Sequence, residues 1–180
     1  VFSFNGNKII TTGGGGMILT DDENLARRAK HLTTTARTDH PYEYIHDELG
    51  YNFRMPNLNA ALGCAQMDQL PHFLAAKRVV AERYADFCHK HGIEFLGEPE
   101  HARSNYWLNA IVLDSKSERD AFLQTTNAQG IQTRPIWRLM SELPMYAHCQ
   151  TDELSVSQWL ADRVVNLPSS VPVDAIKATP

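Results

Sequence analysis

Lys8 stands in Ser3-Phe4-Asn5-Gly6-Asn7-Lys8, followed by Ile9-Ile10-Thr11-Thr12 and the run Gly13 to Gly16. A lysine between two apolar runs, flanked by hydroxyl and amide side chains, is suited to attack a carbonyl carbon. Ser3 adds a hydroxyl, Asn5 and Asn7 add amides, and the glycines let backbone approach a bulky ligand closely. Taken alone, the glycine run is neither a Gly-Lys-Ser/Thr phosphate loop nor a dinucleotide fingerprint, because a strand rather than a helix follows it. Packing against a crossing segment accounts for it equally well. A second candidate is Asn52 in Gly50-Tyr51-Asn52-Phe53-Arg54, ahead of a helix opened by Pro56. An amide and a guanidinium at a helix approach suit a phosphate, and they suit an ordinary capped loop as well. Trp137, beside Arg134 and Arg138, is either a core aromatic or a ring that faces a polar ligand. His89 and His91 sit at a helix end, where the dipole favours cations, and no metal site is expected.

These residues need elements to hold them. Residues 1–20 read as two short strands around Asn5-Gly6 and the glycines, with Met17-Ile18-Leu19 as a buried strand. Thr20-Asp21-Asp22-Glu23 reads as a capping box for a helix whose apolar positions are Leu25, Ala29 and Leu32. Residues 33–55 form a long polar loop, and a loop of that length usually carries function or an interface. Pro56 then opens a helix with Leu58, Ala61, Leu62 and Ala65 as its apolar face. Pro71 should break or kink it, after which Ala76, Val80, Tyr84 and Phe87 continue a stripe toward Gly92. Strands are predicted at 93–96, 106–113 and 131–137. A helix capped by Ser117 ends before Gly130, and a last helix runs from Leu154 to Val164. The result is an α/β chain divided into residues 1–70, a linking helix at 71–92 and a small α/β lobe at 93–180.

Composition narrows the class. With 180 residues, 43% hydrophobic content and a net charge of -4, the chain can bury a core and lacks the basic surface of a nucleic-acid binder. No apolar stretch has membrane-spanning length. Cys64, Cys88 and Cys149 are odd in number and widely spaced, which predicts reduced thiols in a cytoplasmic protein. The uncovered apolar strand at Val1 predicts the later part of a longer protein, and residues 173–180 bring no evident closing element.

The segment from Ser3 to Met17 resembles the active-site segment of the DegT/DnrJ/EryC1/StrS sugar aminotransferases, pyridoxal-phosphate enzymes with the aspartate aminotransferase (fold type I) architecture. Gly50 to Pro56, Ala60-Ala61-Leu62-Gly63 with Gln66, Gly130 to Pro135 and Asn166-Leu167-Pro168 resemble further landmarks of that family. The resemblance implies the end of a large cofactor-binding domain over 1–70 and the small C-terminal domain over 93–180. It also implies pyridoxal 5'-phosphate as cofactor, with Lys8 as the lysine that carries it covalently and later moves the proton. Ser3 would bind the cofactor phosphate, and Asn52 the phosphate held by the neighbouring subunit, so the active site is shared in a homodimer. Asn5, Arg134 and Trp137 fall where the family contacts the nucleotide-sugar. Asn5-Gly6-Asn7-Lys8-Ile9-Ile10 is most similar to enzymes that aminate C4 of a UDP-linked 4-keto-6-deoxy-N-acetyl-hexosamine, with glutamate as donor, in bacillosamine and legionaminic acid pathways. The family's acidic partner of the pyridine nitrogen lies before the lysine, at positions outside this sequence. A truncated remnant that only folds or dimerises is the alternative expectation, and this chain alone is expected to be inactive.

Overall fold

A two-stranded antiparallel ribbon opens the first unit of the chain, Val1–Pro71. In the computed structural model, which describes residues 1–171, β1 (Phe2–Ser3) pairs with β2 (Gly16–Met17), Phe2 opposite Met17 and Ser3 opposite Gly16. Only glycine fits at position 16, because a Cβ there would lie 2.6 Å from the Phe2 carbonyl oxygen. Met17, Ile18 and Leu19 are exposed rather than buried as expected, since a ribbon of two short strands covers little of their surface.

Helix α1 (Glu23–Thr33) is capped by Asp22, whose Oδ1 accepts from the Asn24 and Leu25 N–H groups at 2.8 and 3.1 Å. The expected capping box from Thr20 is therefore displaced by the carboxylate adjacent to the helix, which reaches its free donors directly. Thr20 instead accepts from the Asp22 N–H. Residues 34–56 return along α1 through the bridges Thr34 to Asn52 and Arg37 to His46. Helix α2 (Asn57–His91) follows with Pro71 inside it. Of the expected break or kink at Pro71, the break does not occur: the proline removes one N–H bond, and the long helical runs on either side carry the loss. The predicted apolar face is also reversed. Leu58 is 86% exposed and Leu62 is exposed, while Asn59, Gly63 and Gln66 meet the loop that holds Lys8.

The second unit, His72–Pro180, is built on a four-stranded antiparallel sheet in the order β3 (Glu94–Phe95), β4 (Asn109–Val112), β6 (Val164–Leu167), β5 (Arg134–Pro135). Every residue of β4 is buried. On one face Ile111, Leu113 and Val165 pack with Cys88 of α2 and with Phe122 and Leu123 of α3 (Lys116–Ala128). On the other, Ala110, Val112 and Val164 meet Ile136 and Leu160, the latter from α4 (Ser155–Ala161). Here Ala81 and Cys88 of α2 are buried, whereas Phe87 of the predicted stripe is exposed.

Ser115, not Ser117, caps α3 by accepting from the Glu118 N–H at 3.2 Å, and Glu118 reaches back to the Asp114 N–H. The last predicted helix is shorter than expected, because Val164 begins β6 and its β-branched side chain packs in the sheet. Arg78 forks onto Glu98 at 3.1 and 2.8 Å, and the Ser104 N–H donates to the same carboxylate at 2.7 Å. Together they hold the Glu98 carboxyl well below the usual range, at about 2. The predicted lack of a closing element at 173–180 lies outside the described residues.

Candidate active site

Lys8 lies not on a strand but in the loop that joins β1 to β2, where it is half-buried. Asn5-Gly6-Asn7-Lys8 forms a tight turn closed by the Lys8 N–H donating to the Asn5 carbonyl at 3.0 Å. The Asn5 N–H in turn donates to Ser3 Oγ at 3.4 Å. The backbone of Asn5 thus ties the Ser3 hydroxyl and the lysine into one short arc. Behind the arc, the Phe4 carbonyl accepts from the Thr12 N–H at 3.0 Å and from Thr11 Oγ1 at 3.1 Å, and the Phe4 N–H donates to Gly15 at 3.0 Å. These bonds fix both ends of the lysine loop to each other.

Helix α2 fixes the loop from a third side. Gln66 Oε1 accepts from the Thr11 N–H at 3.2 Å, and Asn59 Nδ2 donates to the Thr12 carbonyl at 2.5 Å. Thr12 is only 3% exposed, and its hydroxyl donates to the Gly14 carbonyl. A Cβ on Gly63 would stand 3.0 Å from Thr12 Cγ2, so the glycine lets the helix approach. Asn59, Gly63 and Thr12 escaped the sequence reading as site residues. Their signal was present: polar or small residues at 59, 63 and 66 share one helix face.

Asn52 is elsewhere in this unit. It sits opposite Thr34 on the return arm and lines an open trough of about 870 Å³ with Gly14, Lys30, Thr33, Arg54 and Asn59. Lys8, Ser3 and Asn5 do not line that trough. Ser3, Asn5 and Lys8 are therefore brought together, and Asn52 opens on a different space that also holds two cationic side chains. Arg134 and Trp137 belong to the second unit. The Arg134 guanidinium donates to Asn127 Oδ1 at 2.7 Å and to the Thr133 carbonyl at 2.9 Å. Trp137 is 65% exposed and stacks on Trp107, with ring centroids 6.1 Å apart and planes at 22°.

A primary amine, a hydroxyl and an amide-lined backbone turn form a donor set that fits an aldehyde-bearing phosphate cofactor. His31, Asp47 and Glu48 also cluster, but His31 Nε2 bonds Asp47 Oδ1 at 2.7 Å and Arg28 forks onto Glu48. The cluster is thus a hydrogen bond and an ion pair holding the return arm to α1. Among the described residues no helix is long and apolar enough to cross a membrane.

Comparison with known proteins bears on the family and the fold. The model of the DegT/DnrJ/EryC1/StrS aminotransferase family matches residues 1–177. EpsN of Bacillus subtilis (strain 168), whose name carries a provisional assignment as a pyridoxal phosphate-dependent aminotransferase, is 34% identical over 174 residues, covering 94% of this chain and 45% of EpsN. GDP-perosamine synthase of Escherichia coli O157:H7 is 34% identical over 168 residues, covering 93% of the chain and 45% of that enzyme. Among solved structures, the aminotransferase TlmJ from Streptoalloteichus hindustanus superposes with a TM-score of 0.85 at 25% identity, covering 97% of this chain and 48% of TlmJ. Helicobacter pylori PseC, an aminotransferase of pseudoaminic acid biosynthesis, gives a TM-score of 0.86 at 20% identity, covering 98% of this chain and 49% of PseC, a likeness of fold. The expected α/β aminotransferase fold is therefore borne out. The chain spans about half the length of the relatives it matches.

Proposed function

The chain belongs to the DegT/DnrJ/EryC1/StrS aminotransferase family, and on that footing we propose that it supplies the lysine-bearing half of a pyridoxal-phosphate-dependent nucleotide-sugar aminotransferase. One observation carries the reading: the turn at Asn5 ties the Ser3 hydroxyl and Lys8 into one arc, pinned to α2 through Thr11 and Thr12. Pyridoxal phosphate, when bound, supplies the electron sink for transamination. Lys8 Nζ would hold the cofactor, and the same amine would take and return a proton on the substrate carbon. The Ser3 hydroxyl donates to the cofactor phosphate, and the Asn5 side chain orients the sugar.

Asn52 serves the phosphate held by a second copy of the chain. Its place in a trough apart from Lys8 and Ser3 supports that assignment, as do Lys30 and Arg54 beside it. The enzyme is then a homodimer of the cytoplasm with a shared active site. Arg134 and Trp137 contact the nucleotide-sugar, and surface glycan biosynthesis is the destination of the product. The substrate is a UDP-linked 4-keto-6-deoxy-N-acetyl-hexosamine aminated at C4, with glutamate as donor, a reading that rests on Asn5-Gly6-Asn7-Lys8-Ile9-Ile10.

A specific observation favours inactivity of this chain by itself. In the first unit the buried residues are Thr12 and Ala36, while Leu58, Leu62, Met17 and Leu19 are exposed. Such a lobe needs further apolar cover before it excludes water from the lysine.

The test offers the full-length gene product glutamate with UDP-, GDP- and TDP-linked 4-keto-6-deoxy sugars, and detects the amino sugar by mass. Amination of the UDP-linked N-acetyl sugar, lost in Lys8→Ala, is expected. No amino transfer to any of the three, or unchanged turnover in Lys8→Ala, overturns the function. A preference for GDP or TDP overturns only the choice of nucleotide.

A further inference from the structure

The backbone just after α1 is strained at two successive residues. Thr35 has φ 69° and Ala36 has φ 48°, both left-handed and neither glycine. A β-branched residue in that region is rare and persists only where surrounding structure over-determines it. A helix stop alone needs one such residue and ordinarily takes glycine. Here the Ala36 N–H does return to the His31 carbonyl at 2.9 Å, as a helix stop would. The second left-handed residue answers to a different partner.

That partner is the return arm. Gly50 crosses the strained pair so closely that a Cβ on it would lie 2.4 Å from both the Ala36 nitrogen and the Thr35 carbonyl carbon. Ala36 is 0% exposed beneath the crossing. The Thr35 N–H donates to the Tyr51 carbonyl at 2.9 Å, the Tyr51 N–H to the Leu32 carbonyl at 2.7 Å and the Phe53 N–H to the Thr33 carbonyl at 3.0 Å. His46 Nδ1 lies 2.7 Å from the Thr35 carbonyl, and the Asp47 N–H donates to the Ala36 carbonyl at 3.2 Å. The His31 to Asp47 hydrogen bond and the Arg28 to Glu48 ion pair clamp the same arm from α1. Asn52 is the residue between the two bonded neighbours, Tyr51 and Phe53.

We infer that the left-handed Thr35-Ala36 pair, crossed by Gly50, is a positioning element that sets the register of Tyr51-Asn52-Phe53 and so aims the Asn52 amide into its trough. The inference rests on the reading of Asn52 as a ligand of the cofactor phosphate. A misplacement of about 1 Å at such a site can cost about a hundredfold in function.

The test is a double-mutant cycle in the full-length protein, with pyridoxal phosphate affinity read by absorbance titration. Hydrogen exchange at the Tyr51 and Phe53 amides is the second readout. Gly50→Ala is expected to weaken the cofactor about as much as Asn52→Ala, with no further loss in the double variant, because both act through one amide. His46→Ala, an exposed and milder change, should lower affinity by a smaller factor, again without effect once Asn52 is gone. It serves also if Gly50→Ala does not fold. Thr35→Gly should keep full affinity, since glycine adopts the left-handed conformation freely. Additive losses in the cycle, or unaltered affinity and exchange in both Gly50→Ala and His46→Ala, overturn the inference. If Asn52→Ala binds cofactor normally, the ligand reading falls. In that case faster exchange at Tyr51 and Phe53 in Gly50→Ala still upholds the positioning role, and unchanged exchange defeats it.

Discussion

Gly63→Ala sets two effects of known size against each other on the helix that backs the lysine loop. In a helix interior, alanine is better than glycine by about 1 kcal/mol. Against that, the new Cβ meets Thr12 Cγ2 at 3.0 Å, and overpacking of this kind costs about 1–3 kcal/mol. Thr12 cannot swing away cheaply, because its hydroxyl, N–H and carbonyl are all bonded, to Gly14, Phe4 and Asn59 respectively. The contact should therefore win, leaving Gly63→Ala less stable by up to about 2 kcal/mol. Thr12→Ser removes the offending methyl, keeps the hydroxyl and costs about 0.8 kcal/mol of burial. In that background Gly63→Ala should become stabilising by up to about 1 kcal/mol. Urea unfolding followed by far-UV circular dichroism measures the cycle. Hydrogen exchange at the Thr11 and Thr12 amides localises it to the loop. Equal effects of Gly63→Ala in both backgrounds would refute the packing argument.

Two further outcomes follow from the second unit and the thiols. Glu98 is held at about 2 in the folded chain against an ordinary value of 4.5, so its contribution is full above the ordinary value and is lost as pH falls through about 2. Melting temperatures of wild type and Glu98→Gln should differ at pH 5 and converge near pH 2, and a constant difference across that range would contradict the assignment. Cys64 and Cys149 are exposed while Cys88 is buried, and burial pushes the Cys88 thiol up. A thiol reagent should therefore modify two cysteines in the native protein and the third only on unfolding. Rapid native modification of Cys88 would place it outside the core.

Much of the site was legible because chemistry and turn signals coincide in the same few residues. Asn5-Gly6 predicted a turn, and that turn is what ties Ser3 to Lys8. The small second unit was legible from its apolar strands, though the last helix was expected to run to Val164, where two adjacent β-branched residues already favoured the sheet. The face of α2 over 57–66 was misread for a physical reason. An irregular loop leaves N–H and carbonyl groups unpaired, so the helix that backs it presents Asn59 and Gln66 rather than leucine. Leu58, Ala61 and Leu62 then point away, and no rule of periodicity says which of two faces meets a loop. The strained crossing at Thr35, Ala36 and Gly50 left no mark in composition or periodicity, because left-handed non-glycine residues are set by tertiary contacts.

The central claim concerns one nitrogen atom. The full-length gene product should be incubated with pyridoxal phosphate, reduced with borohydride, digested and mapped by mass. A reduced pyridoxyl adduct on Lys8, absent from Lys8→Ala, is the predicted result. An adduct confined to other lysines, or undiminished in Lys8→Ala, would contradict it.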